Sequence, residues 1–150
     1  MKFTAEDKKK IEEGIRGKYS KVAVNPEGLF SYPTGHAGLE GLKYDPRILQ
    51  ALPECVLESF CGVGNPFSVG EIHERESVLD IGSGGGVDTM VAAIMVGPTG
   101  RVVGVEMSSE MVERARQNLS QTNLKNISFL ESSADDLPER PLLMLCVYRV

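Results

Sequence analysis

The chain has 150 residues, 41% of them hydrophobic and 25% charged, which suits one ordinary domain with a buried core. A formal net charge of -5 and a pI near 5.1 disfavour a large phosphate-binding surface, so no nucleic-acid partner is expected. No apolar run is long enough to cross a bilayer and the first residues lack a secretory-signal pattern, so the expectation is a cytoplasmic protein without a membrane partner.

Residues 4 to 16 predict a charged amphipathic helix, with Thr4 as its cap and Ile11 and Ile15 as a thin apolar stripe. Within it, Lys8-Lys9-Lys10 is the only basic run and reads as a solvated face balanced by Glu12 and Glu13. From Asn25 to Tyr44 the chain is rich in Gly, Pro, Ser and Thr, which predicts a long ordered loop. Asp45-Pro46 then reads as an N-cap followed by proline at the first helical position, opening a segment with Ile48, Leu49 and Leu52 that Pro53 interrupts. A second short helix over Glu54 to Phe60 should end at Cys61-Gly62-Val63-Gly64-Asn65-Pro66, where glycines and proline stop any helix.

After residue 75 short apolar runs alternate with helical periodicity, the pattern of a β-α-β-α-β series and a parallel sheet. The strands are expected at 77–81, 101–106 and 126–131. Val87 to Val96, apolar almost all round, predicts a buried helix closed by Gly97-Pro98. Ser108 should cap another helix, with Met111, Ala115 and Leu119 on one face and Glu110 paired to Arg114. Leu142 to Tyr148 can form a fourth, buried strand. Residues 1–70 are thus expected to be N-terminal helices and a lid loop, and residues 71–150 the sheet core.

Cys55, Cys61 and Cys146 are odd in number and lack CxxC spacing, and His36 and His73 fit no metal-ligand pattern. Reduced thiols and no metal site are therefore expected, with Cys61 a buried structural cysteine.

The chemistry resides in Val78-Leu79-Asp80-Ile81-Gly82-Ser83-Gly84-Gly85-Gly86, a strand running into a glycine turn that opens a helix. Glycine supplies torsions a Cβ forbids and lets backbone press against a ligand. Glu106 ends the next strand 20 residues after Gly86, the spacing at which a carboxylate meets ribose hydroxyls. A dinucleotide site prefers GxGxxG, but its third glycine would fall at Val87, and the run instead reads GxGxG.

Asp80 through Gly86, together with Val105-Glu106-Met107-Ser108 and Ala134-Asp135-Asp136-Leu137-Pro138, resembles the first three motifs of class I S-adenosylmethionine-dependent methyltransferases. The chain is most similar to the quinone-biosynthesis and arsenite methyltransferase-like branch, through Gly97-Pro98-Thr99-Gly100-Arg101-Val102 and the lid-like segment Phe60 to Pro66. The resemblance implies an α/β, Rossmann-like, doubly wound and mostly parallel sheet of about four strands with an N-terminal helical lid. It implies S-adenosylmethionine as cofactor, held along the run Gly82, Ser83, Gly84 and Gly86, with Asp80 near the ammonium group. Glu106 would accept the ribose hydroxyls, Met107 would pack on the adenine, and Ala134 and Asp135 would read its edge. A sulfonium zwitterion suits such a site, since it wants a carboxylate for its ammonium group and amide donors for its own carboxylate.

Two positions depart from that branch: Ser133-Ala134 stands where quinone-type members have Asp-Ala, and Val63 stands where arsenite-methylating members place a cysteine between the lid glycines. The residues after Pro138 also lack the family's acidic fourth-strand motif, so the core is expected to be C-terminally truncated relative to the family. An open sheet edge would then favour homo-oligomers. The expected activity is methyl transfer to a small-molecule acceptor, arsenite-like or quinone-like. The alternatives are a non-catalytic S-adenosylmethionine-binding fragment and, less favoured, a nicotinamide-binding domain. No catalytic acid or base is assigned, because displacement at a sulfonium requires chiefly alignment.

Overall fold

A computed structural model describes residues 4–137 and the backbone of residues 143–145. Among the described residues six α-helices and four strands follow one another, α1 (Ala5–Val24), α2 (Gly35–Gly41), α3 (Pro46–Leu49), α4 (Glu54–Leu57), β1 (Ser77–Ile81), α5 (Val87–Val96), β2 (Arg101–Glu106), α6 (Ser109–Ser120), β3 (Ile127–Glu131) and β4 (Leu143–Leu145), with short 3-10 turns at Pro66–Ser68 and Ala134–Asp136. The strands form one parallel sheet in the order β3-β2-β1-β4. The chain therefore leaves β1 toward β2 and β3 on one side and returns to β1's other side with β4, the reversal beside which open α/β sheets bind ligands. This is the α/β, Rossmann-like parallel arrangement with N-terminal helices that the sequence implies. The remainder of the expected strand over 142–148, and Cys146, lie outside the described residues.

Helix α1 begins at a complete capping box: the Asp7 amide donates to Thr4 Oγ1 at 3.1 Å and the Thr4 amide to Asp7 Oδ2 at 3.0 Å. The Thr4 hydroxyl, which donates to Asp7 Oδ2 at 2.6 Å, and then the Thr4 amide hold the Asp7 carboxyl below its ordinary range. The helix runs on to Val24, well past the predicted end at residue 16. Its continuation buries Val22 against Cys61 and Met111, a tertiary contact that outweighs the glycines at 14 and 17. Lys10 and Lys9 of the basic run pair with Glu6 and Glu13 along the exposed surface.

The expected loop over 25–44 contains α2, which the glycine content had argued against. Gly38 is needed there for space, since a Cβ would lie 2.6 Å from the Pro33 carbonyl oxygen, and Leu39 beside it is fully buried. Asp45 caps α3 through the Arg47 amide at 2.9 Å with Pro46 at the first helical position. α4 closes at Leu57 rather than Phe60, with turn hydrogen bonds carrying the chain on.

The largest core cluster joins Leu39, Tyr44, Val56, Leu57 and Phe60 to Val87, Met90 and Val91 of α5, Val112 and Ala115 of α6, and Phe129 of β3. The segment preceding the sheet is thus packed onto the helical layer. The buried Tyr44 hydroxyl fastens it further by donating to Asp88 Oδ1 at 2.7 Å, in the first turn of α5. A second cluster, Val78, Ala92, Ala93, Val96 and Val102, seats α5 on β1 and β2.

Candidate functional site

At the carboxyl ends of β1 and β2 the glycine loop turns across the sheet: the Gly82 and Ser83 amides both donate to the Val105 carbonyl, at 2.8 and 3.0 Å. Gly82, Gly84 and Gly86 all adopt left-handed torsions, so the GxGxG spacing is the alternation this turn requires. The last of them also solves a packing problem. A Cβ on Gly86 would stand 2.6 Å from the Phe129 ring and 3.2 Å from Ala115 Cβ, so its glycine lets the start of α5 lie against β3 and α6.

Glu106 is buried and held from two directions. The Gly84 amide donates to its Oε2 at 3.0 Å, and the Ser108 amide donates to its Oε1 at 2.9 Å. Loop, strand end and the cap of α6 therefore meet on one carboxylate. Each of its oxygens keeps further lone-pair capacity, which is the acceptor set that a pair of vicinal hydroxyls can donate to.

A cleft of about 160 Å³ opens here and brings together five of the sequence-selected residues, Gly82, Gly84, Glu106, Met107 and Ala134. The other four sit around it. Asp80 is 1% exposed and accepts the Thr89 hydroxyl at 2.6 Å, Ser83 is fully buried, and Gly86 faces the core. Asp135 lines an adjacent recess with Met107, Ser133 and Arg16. Ile81, Val105 and Ser132 complete the cleft from the sheet, and Ile15 and Tyr19 from α1. Sequence reasoning missed Tyr19, although it continues the spacing of four that links Ile11 and Ile15, because the helix was expected to stop at residue 16.

The expected pairing of Glu110 with Arg114 gives way to other partners. Glu110 accepts the Ser108 hydroxyl at 3.0 Å, and Arg114 Nε donates to Ser59 Oγ at 3.1 Å. Hydrogen bonding by its own backbone amide, then by the Ser108 hydroxyl, lowers the Glu110 carboxyl's pKa. Cys61 is buried beside Val22 and Met111, and Val63 is exposed. Among the described residues no group of three His, Cys, Asp or Glu side chains is arranged to hold a metal, and no helix is long and apolar enough to cross a membrane.

Comparison with known proteins converges on this region. A family described as "Methyltransferase domain" matches residues 72–143. An arsenite methyltransferase of Halobacterium salinarum is 31% identical over 146 residues, covering 88% of this chain and 37% of that protein. A second, from Aquipseudomonas alcaligenes, is 30% identical over 132 residues, covering 85% of this chain and 37% of the relative. The chain thus spans about 37% of the length of these relatives. A crystal structure of an arsenic(III) S-adenosylmethionine methyltransferase from Chlamydomonas reinhardtii is 33% identical with a TM-score of 0.49, over 58% of this chain and 32% of that one. With the glycine loop, the strand-end glutamate and the parallel sheet, the family match and the two relatives identify residues 72–143 as a methyltransferase domain of the class I, Rossmann-like, S-adenosylmethionine-dependent kind, and the chain is similar over most of its length to part of the arsenite methyltransferases.

Proposed function

We propose that this chain binds S-adenosylmethionine in the cleft at the ends of β1 and β2 and serves methyl transfer to a small acceptor, arsenite-like or quinone-like. The observation that carries the reading is the convergence of Gly82, Gly84, Glu106, Met107 and Ala134 on one cleft beside the sheet's reversal point. The residues present fit the cofactor. Glu106, already oriented by two amides, accepts the ribose hydroxyls, while Ile81, Val105, Met107 and Ala134 give the nucleoside an apolar seat. Asp80, Ser83 and Gly86 support the loop from beneath, and Asp135 meets the adenine edge from the neighbouring recess. The sulfonium supplies an activated methyl group; the chain's own task is to hold acceptor and methyl carbon in line with water excluded, which needs no dedicated acid or base.

The reading is tested by titrating the purified chain with S-adenosylhomocysteine and NADH side by side. Saturable binding of S-adenosylhomocysteine, with NADH weaker, is the expected result. Tighter NADH binding would overturn it in favour of a nicotinamide domain. Incubation with methyl-labelled cofactor and arsenite or a quinone then tests turnover: label transfer supports the acceptor class, and binding without transfer reduces the chain to a cofactor-binding unit.

A further inference from the structure

Behind the glycine loop, on the side away from the cleft, three segments distant in sequence meet at one polar knot. Asn118 of α6 is 4% exposed, and its Nδ2 donates both to the Gly85 carbonyl at 2.9 Å and to Ser59 Oγ at 3.0 Å. Ser59 lies just after α4 and is also buried; its hydroxyl donates to the Cys55 carbonyl at 3.3 Å and accepts Arg114 Nε at 3.1 Å. The donor count fixes the arrangement. The hydroxyl's one hydrogen goes to Cys55, so its oxygen receives from Arg114 and Asn118, and the Gly85 carbonyl can only accept, so both amide hydrogens of Asn118 are used. Contact is tight as well, since a Cβ on Gly85 would lie 3.0 Å from Ser59 Cβ.

We propose that Asn118 and Ser59 are positioning residues that clamp the Gly85 carbonyl and hold the loop Gly82–Gly86 in its ligand-receptive form. This inference rests on the reading of that loop as the S-adenosylmethionine site. Gly85 sits between Gly84, whose amide binds Glu106, and Gly86, whose amide binds the Ser83 carbonyl. Pinning its carbonyl from behind therefore fixes the orientation of the peptide groups that face the cleft. Because Ser59 immediately precedes Phe60 and Cys61, the clamp also ties the start of the lid-like segment to the cofactor loop. Arg114 is the charged group that faces this knot, through Ser59.

The test uses Asn118→Leu and Asn118→Asp in the whole chain, with two readouts. Backbone amide hydrogen exchange over residues 82–87 in the ligand-free protein should quicken in both variants, while exchange in β1 and β2 stays as in the parent. Affinity for S-adenosylhomocysteine should fall about tenfold, the loss of one buried hydrogen bond to the loop. Asn118→Asp adds a signature that simple loosening of the core does not produce. Its new carboxyl can donate to the Gly85 carbonyl only when protonated, so affinity should recover as pH falls from about 8 to about 5.5, whereas the leucine variant stays weak. Loop exchange unchanged in both variants overturns the inference whatever the ligand data show. If instead the parent chain does not bind S-adenosylhomocysteine, the cofactor reading fails, and the exchange data alone decide the clamp.

Discussion

Glu106 already holds two backbone amides, so its carboxylate need not be ordered when a ligand arrives. Replacing it has two consequences, loss of the ribose acceptor and release of the Gly84 and Ser108 amides. Glu106→Ala should weaken S-adenosylhomocysteine binding by about 2 to 3 kcal/mol, read by calorimetry, because charge-assisted bonds are the stronger kind. An unchanged affinity would remove Glu106 from the site. Its candidacy was legible in the sequence, since a carboxylate one strand after a glycine turn has a recognisable spacing. The double clasp was only half legible, because the Ser108 amide lies two residues on along the chain, whereas the Gly84 amide comes from the loop after β1 and only the folded sheet brings it to the carboxylate. Asn118 and Ser59 were invisible for the same reason: a polar residue on a helix and a serine after a short turn carry no local mark of meeting.

Between the elements, the ring of Phe129 on β3 is the spacer that sets loop against sheet. A Cβ on Gly104 of β2 would approach the ring at 2.7 Å and Ser83 Cβ at 3.0 Å, while one on Gly86 would approach the same ring at 2.6 Å. Gly104→Ala should therefore destabilise the protein by about 1 to 3 kcal/mol in urea unfolding, the usual cost of overpacking. Combining it with Phe129→Leu should cost less than the two changes summed, because both act on one contact. Additivity would show that the ring can move aside. The three strands and the helices α5 and α6 were readable to within a residue or so because their periodicity is strong and their stops are glycine or serine. α2 was hidden, since Gly35, Gly38 and Gly41 argue against a helix while the packing of Leu39 and the closeness of Pro33 require one. α1 was cut short because its later apolar residues, Tyr19 and Val22, find their partners on α6 and near Cys61 rather than along the helix itself.

Across the whole molecule, one core joins the N-terminal helices to the helical layer of the sheet. Leu39, Tyr44, Leu57 and Phe60 share a cluster with Val87, Met90, Val112 and Phe129, and Tyr44 is hydrogen-bonded to Asp88. Unfolding in urea should accordingly give one transition, coincident by far-ultraviolet circular dichroism and by tyrosine fluorescence. Two separated transitions would mean that the N-terminal helices and the sheet melt independently.

The size of the cleft has a kinetic consequence. At about 160 Å³ it is smaller than the roughly 300 Å³ at which small-molecule sites begin, and Ile15 and Tyr19 of α1 form one of its walls. A nucleoside-sized guest must therefore either extend into the adjoining recess lined by Met107, Ser132, Ser133 and Asp135 or displace the α1 wall as it seats. In stopped-flow mixing, displacement of α1 predicts an observed association rate that levels off as guest concentration rises, whereas seating in the recess predicts a rate that keeps climbing linearly.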